Sequence, residues 1–424
     1  MIGVVADDVT GANDIGLMFA KHGYKTEVFS SFTEIDLGQV RADVLILDTN
    51  SRCDNPALAY DKVIKATQRL TACNCRILMK KTCSVFRGNI GAEFDAMLDA
   101  AGADFAVVVA AFPKNGRITK GGHHFVHGLP LVESEFRKDP VHPMQSGDLR
   151  EIIAQQSRRP SHLLDYQAVA QGIAEIKRRI DEAKKKGGYL VCDVTGQNDL
   201  KLIAEAAAAE PFLFGSSALA EELPPFWPGP EVGLSLGDLP RDGVGSLIIA
   251  GSVTPQTKAQ VAYARQMGLA TAELDTRLLF QGTTRDAEFR RVVSWAVNGL
   301  QSDQPVLVYG AHKSEDIEAT YRAAEQAGLN KLETNHIVSR TLGEISRAIV
   351  EQTVVKKLIV AGGETSGDVC RSLGIVGNLV LKEIQPGLPS GLSRGSHELL
   401  VVLKSGSFGS PDFFIQALAH LETL

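Results

Sequence analysis

The 424-residue chain lacks most of the features that place a protein at a glance. Its six cysteines, Cys53, Cys73, Cys75, Cys83, Cys192 and Cys370, are scattered and contain no CxxC pair, so a reduced cytoplasmic chain is expected rather than a disulfide framework. Lys and Arg number 44 against 50 Asp and Glu, a net charge of −6, which leaves no basic surplus for nucleic acid. No apolar run approaches the ~20 residues that span a bilayer, and the chain opens on an apolar strand rather than a signal segment. No membrane partner is expected. There is no GxxxxGK(S/T) and no GxGxxG behind a strand, so the chain is neither a P-loop protein nor a standard dinucleotide binder on motif grounds. Internal repeats and low-complexity tracts are also missing.

What is present is a packed composition, 44% hydrophobic and 22% charged, at a length that suits two domains. Strand-like and helix-like segments alternate throughout, which predicts an α/β fold with largely parallel sheets. In the first half, strands are expected at 25–29, 44–48, 77–80, 105–111, 189–194 and 212–214. Helices are expected from Pro56, over 90–101, over 166–186 and over 200–209. A short strand or hairpin is read at 121–128. Between Leu223 and Gly243 stand Pro224, Pro225, Pro228, Pro230 and Pro240 with several glycines, a texture that favours extended chain. A hinge is expected there, dividing a domain 1–230 from a domain 244–424. The second half restarts with a strand at 246–250 and closes with two strand segments before a final helix.

The organising stretch is Gly3 to Asp14, a short apolar strand ending in Asp7 and Asp8 before a helix that buries Ile15, Met18 and Phe19. Ligands of open α/β sheets gather beyond the carboxyl ends of strands, beside helix N-termini. Two acids there suit a hydroxyl-activating pair, a magnesium site or a helix cap. Arg52, Lys81, Arg87, Asn115 and Arg117 fall at expected strand ends, as suits a small anion bearing hydroxyls. In the second half, Gly251-Ser252, Gly362 to Gly367 and Ser405 to Gly409 are strand–glycine–helix junctions. Such turns present backbone N–H groups to phosphate, and three of them point to a nucleotide. His123 and His127 share a strand face with His124 opposite, but no further ligand follows at regular spacing, which argues against a metal centre. Cys73/Cys75 reads as a turn and Lys184-Lys185-Lys186 as a solvated helix end.

In order along the chain, ADDVTGAND, KKTCSVFRGNIGAE, AFPKNGRIT with GLPLVESEFRKDP, GSVTPQT, AGGETSGDVCRSLG, and PGLP with LKSGSFG resemble the four-carbon acid sugar kinases, over residues 6–409. The resemblance implies an N-terminal domain for the sugar acid and a C-terminal domain for ATP with Mg²⁺. It implies Asp8, or else Asp7, as the base at the hydroxyl, with Arg52, Lys81, Ser84, Arg87 and Asn115 around the substrate. Ser252, Gly362, Gly363, Glu364, Thr365, Lys404 and Gly406 are implied at the nucleotide, and no metal ligand is assigned. DDVTGANDIG and SRCDNPALAY are more similar to the threonate and erythronate kinases than to the 3-oxo-tetronate kinases, which puts D-threonate first. One departure stands out: many relatives read DST where this chain has Cys83-Ser84-Val85, so an acid and a hydroxyl are missing. A magnesium-dependent phosphohydrolase or dehydratase and a sugar-acid sensor are the rival classes. Stereochemistry of the acid and any homo-oligomer stay open.

Overall fold

The structure, a computed structural model, describes residues 1–30, 32–33, 35–139, 142–237, 239–240, 243 and 245–424. Asp238, Arg241 and Asp242 of the expected hinge, Pro140 of the quoted motifs and Val244 at the expected domain start lie outside the described residues. The chain divides into two compact units, Met1–Leu234 and Ser235–Leu424, and both are α/β.

In the first unit the strands β1 (Ile2–Ala6), β2 (Thr26–Phe29), β3 (Val44–Asp48), β4 (Ile77–Lys81) and β5 (Phe105–Val109) enter one sheet. A small antiparallel sheet of β6 (Arg117–Lys120), β7 (His123–Val126) and β8 (Leu129–Pro130) follows. Then β9 (Ser161–Leu164), β10 (Gly188–Cys192) and β11 (Phe212–Gly215) complete the main sheet. Its order is β2-β3-β1-β4-β11-β5-β10-β9, all parallel. Val4, Val5, Ile46, Leu47, Val107, Val108 and Val191 are fully buried, which explains why these strands read as unbroken apolar runs. The chain runs from β1 out to β2, back to β3 beside β1, and then crosses to β4 on the other side of β1, so strand order reverses at β1. Crevices form at the carboxyl side of such a reversal.

Several expectations are corrected here. The helix read over 166–186 is two, Tyr166–Ala170 and Ile173–Lys186, because Gly172 adopts φ +93° and breaks the run. The hairpin at β6–β7 turns through Gly121 and Gly122, both at positive φ as a two-residue turn requires. His127 lies past the end of β7 at φ +49°, so it does not continue the face of His123. The proline-rich stretch is packed against the first unit up to Gly233. Tyr24 Oη donates to the Pro228 carbonyl at 2.6 Å, and Trp227 stacks on Phe19. Asp43 accepts four backbone N–H groups, from Lys25, Glu231, Val232 and Gly233, at 2.8–2.9 Å.

The second unit holds β12 (Leu247–Ala250), β13 (Ala270–Glu273), β14 (Val306–Tyr309), β15 (Lys357–Ala361), β16 (Ile375–Gln385), β17 (Leu388–Gly395) and β18 (Leu400–Lys404). The order β13-β14-β12-β15-β18 is parallel, and β17 and β16 continue it antiparallel. The two closing strand segments expected from the sequence are thus three strands. Leu342, Ile345 and Ile349 of the Lys331–Gln352 helix pack on Leu247, Val306, Val308 and Val360 of the sheet. No helix among the described residues is long and apolar enough to cross a membrane.

Candidate functional site

Register sets the first unit's site. Ala6 pairs with Asp48 on β3 and Lys81 on β4, so the segments following these strands leave the sheet at one level. Asp8 caps the Val9–Ala20 helix, its Oδ1 accepting the Gly11 N–H at 2.7 Å. A Cβ on Gly11 would lie 2.5 Å from Asp8 Oδ1 and 2.9 Å from Lys81 Nζ, so glycine permits the approach of both. Arg52 grips Asp7 with Nε and Nη2, each at 2.8 Å, and reaches Asp8 Oδ2 with Nη1 at 2.6 Å. One guanidinium therefore joins both acids. Asp8 thus caps the helix, as one of the expected readings has it, and also engages Arg52.

Electrostatics separates the carboxylates. Burial pushes Asp7 upward, but Arg52, Lys80 and Lys81 outweigh it and bring its pKa to about 2. Asp48 moves the opposite way: burial, with Asp8 and Asp7 adding, lifts it to about 7 against the Asn50 N–H and Arg52. Asp14 is raised by burial, although Lys81 and Ser217 oppose the shift; Lys81 Nζ lies 3.8 Å away.

Arg87 is shared between Asp139, at 2.8 Å, and the Cys83 thiol, at 3.4 Å, and lies over the Phe136 ring. Burial raises the Cys83 thiol, yet the charges of Arg52 and Arg87 overcome it and the net shift is downward. Arg117 is shifted down chiefly by burial, with Glu135 and Cys83 opposing the shift and Arg87 adding to it, so it lies within the field of the same side chains. Ser84 is half-buried on the same loop. Asn115 ends a short 3₁₀ turn, and its carbonyl accepts from Arg117 Nη1. His124 is buried beside Thr119 and pushed down to about 4 by burial and then Arg117, while His123 is exposed. Among the described residues no three His, Cys, Asp or Glu gather to hold a metal ion.

In the second unit the three glycine turns start side by side, because β12, β15 and β18 are neighbours. Gly251 N donates to the Ala361 carbonyl at 3.1 Å, and Gly362 N to the Lys404 carbonyl at 2.9 Å. Gly251, Ser252, Gly362, Gly363, Glu364 and Thr365 line a cavity of about 220 Å³. Its other walls include apolar Val253, Ile317 and Val338, together with Ser339. Ser339 Oγ is buried and has no hydrogen-bond partner among the described residues. A Cβ on Gly251 would fall 2.2 Å from Thr365 Oγ1, and one on Gly406 would fall 2.0 Å from Ser252 Oγ. Gly406 and Lys404 lie outside the cavity wall and support it. The Gly406 carbonyl accepts from Thr254 and Thr257 at 2.7 and 2.9 Å. Lys404 Nζ is buried, donates to the Ser405 carbonyl at 2.9 Å, and is lowered by burial to about 8. Glu364 pairs with His336 at 2.5 Å, and burial raises its carboxyl.

Comparison with known proteins decides the family. Residues 2–223 match the model of a sugar-binding N-terminal domain, and residues 247–414 that of a nucleotide-binding C-terminal domain. The chain is 33% identical to a 3-oxo-tetronate kinase of Pseudomonas fluorescens, covering 99% of this chain and 97% of that one. It is 32% identical to a D-threonate kinase of Salmonella typhimurium, covering 99% and 98%. The chain belongs to the four-carbon acid sugar kinase family. A crystal structure of a Haemophilus influenzae protein superposes with a TM-score of 0.82 at 28% identity over 99% of both chains.

Within this four-carbon acid sugar kinase, sequence reasoning missed Asp48, Lys80, Glu93 and Ser339. Asp48 ends an apolar strand and reads as its polar stop. Glu93 sits in the first turn of the Ile90–Ala101 helix, where an acid is ordinary. Nothing in the sequence marks either as buried beside Asp7.

Proposed function

We propose that this chain transfers the γ-phosphoryl group of ATP to the 4-hydroxyl of a four-carbon sugar acid, D-threonate first, with D-erythronate and 3-oxo-tetronate as alternatives. The observation that carries the reading is the single guanidinium of Arg52 joining Asp7 and Asp8 beyond β1 and β3. It supports the first unit as the acceptor site. Phosphoryl transfer asks the protein mainly to align groups and neutralise charge.

Asp8 accepts the proton of the attacking hydroxyl. Its side chain is 27% exposed, whereas that of Asp7 is 1% exposed. Asp7, at about 2, is a weak base and serves to orient Arg52. Lys81 and Arg87 draw in the substrate carboxylate, Arg87 through its fork geometry. Ser84 and Asn115 complete the substrate side. The second unit takes the nucleotide. N–H groups at the start of the ten-residue Gly363–Ser372 helix, with Ser252, face the phosphates. The nucleoside packs on Val253, Ile317 and Val338, and Ser339 Oγ supplies a hydrogen bond. The fit rests on that orphaned hydroxyl and on glycines whose Cβ positions are already filled. Mg²⁺ would offset the negative charge of the triphosphate, and Glu364, on the cavity wall, is the carboxylate that would hold it.

Asp8→Asn, assayed by ADP release with ATP and D-threonate, should lower kcat by about 10²–10⁴-fold, the range for a general base, with the KM for the acid little changed. A kcat within a few-fold of wild type would remove Asp8 from that role.

A further inference from the structure

Behind the Asp7–Arg52–Asp8 group lies a second polar set that the reaction as described does not use. Lys80 of β4 and Glu93 pair at 2.7 Å, with side chains 0% and 1% exposed. Glu93 Oε1 accepts from Ser51 Oγ at 2.5 Å, and Ser51 Oγ lies 2.7 Å from Thr49 Oγ1. Thr49 Oγ1 donates to the Ala6 carbonyl at 2.8 Å, at the end of β1. Ser51 immediately precedes Arg52, and the N–H groups of both donate to the Asp7 carbonyl, at 3.0 and 3.2 Å. Asn89, at the start of the Glu93 helix, donates through Nδ2 to the Ser51 and Asp54 carbonyls at 3.0 and 2.9 Å. A Cβ on Gly88 would lie 3.1 Å from Arg52 Cγ, so the backbone is packed against that side chain.

A buried ion pair is weak evidence for stability, since apolar residues of like volume often serve as well. Here the pair has a directed output. The Glu93 oxygen turned away from Lys80 accepts from Ser51, the residue next to the guanidinium that joins both acids.

We propose that Glu93 and Lys80 are positioning residues: Glu93, neutralised by Lys80, anchors Ser51 and thereby fixes the Arg52 fork on Asp7 and Asp8. The catalytic consequence rests on the kinase reading, whereas the effect on Arg52 does not.

The test is Ser51→Ala, which cuts the link and leaves the ion pair whole, beside Glu93→Gln and their combination. Where Glu93→Gln fails to fold because it leaves Lys80 without its buried partner, the Lys80→Met/Glu93→Leu double variant, with neither charge, replaces it. Two readouts are taken: kcat and KM with ATP and D-threonate, and water exchange of the Arg52 Nε–H by NMR in the protein without ligands. In folded Ser51→Ala, kcat should fall about tenfold or more with the KM for ATP unchanged, as loosened alignment predicts. The Arg52 Nε–H should exchange about tenfold faster, and Ser51→Ala combined with the Glu93 variant should be no worse than the more impaired of the two alone. Exchange and kcat both within about twofold of wild type, or losses that simply add, would overturn the proposal. A wild-type chain that phosphorylates no four-carbon acid would refute the kinase reading instead, and the Nε–H exchange would then decide the positioning claim alone.

Discussion

Asp48 carries a quantitative consequence for stability. The residue is 4% exposed at the end of β3, and burial with the charges of Asp8 and Asp7 lifts its carboxyl from an ordinary 3.8 to about 7. Between those values the folded chain keeps a proton that the unfolded chain has released, so this group's stabilising contribution is lost as pH rises through the window. Taken from about pH 5 to about pH 8, the two pKa values give a loss of about 2–3 kcal/mol. Asn at this position does not titrate and retains an oxygen for the Asn50 N–H, now bound at 2.8 Å. Asp48→Asn should therefore gain about 2–3 kcal/mol on wild type across that range. Urea unfolding followed by Trp227 fluorescence in a Trp295→Phe background reads the first unit, because the chain has only these two tryptophans. A wild-type-to-variant difference that stays constant within about 0.5 kcal/mol from pH 5 to pH 8 would refute the reasoning.

Two further outcomes are expected. Gly251→Ala places a methyl 2.2 Å from Thr365 Oγ1 and 2.8 Å from Leu342, so the KM for ATP should rise about tenfold in ADP-release assays while that for the acid stays put. Asp43→Ala strips four backbone N–H groups of their acceptor, and urea unfolding should show a loss of about 2–4 kcal/mol, with earlier proteolytic cleavage near residues 231–233.

Much of the fold was legible because parallel strands buried on both faces leave unbroken apolar runs, as Val44–Asp48 does, and because Ile90–Ala101 has a clear helical stripe. The break at Gly172 was not, since the apolar spacing resumes in phase enough to hide one left-handed glycine. The closing antiparallel strands were undercounted because pairing direction depends on partners distant in sequence. At the site, the strand-end acids and bases could be picked out by type and by position after a strand. Their pairing could not. Arg52 reads as an anion clamp until its partners, Asp7 and Asp8, some 45 residues earlier, are seen on its fork. Lys404, which the family resemblance implies at the nucleotide, has its amine turned into the protein beneath the glycine turn.

The most direct test is ADP release measured over a panel of four-carbon sugar acids and their enantiomers, with ³¹P NMR of the product. Acid-dependent ADP release with a phosphate monoester on C4, strongest for D-threonate, is the predicted result. ADP release indifferent to every acid, or none at all, would contradict it.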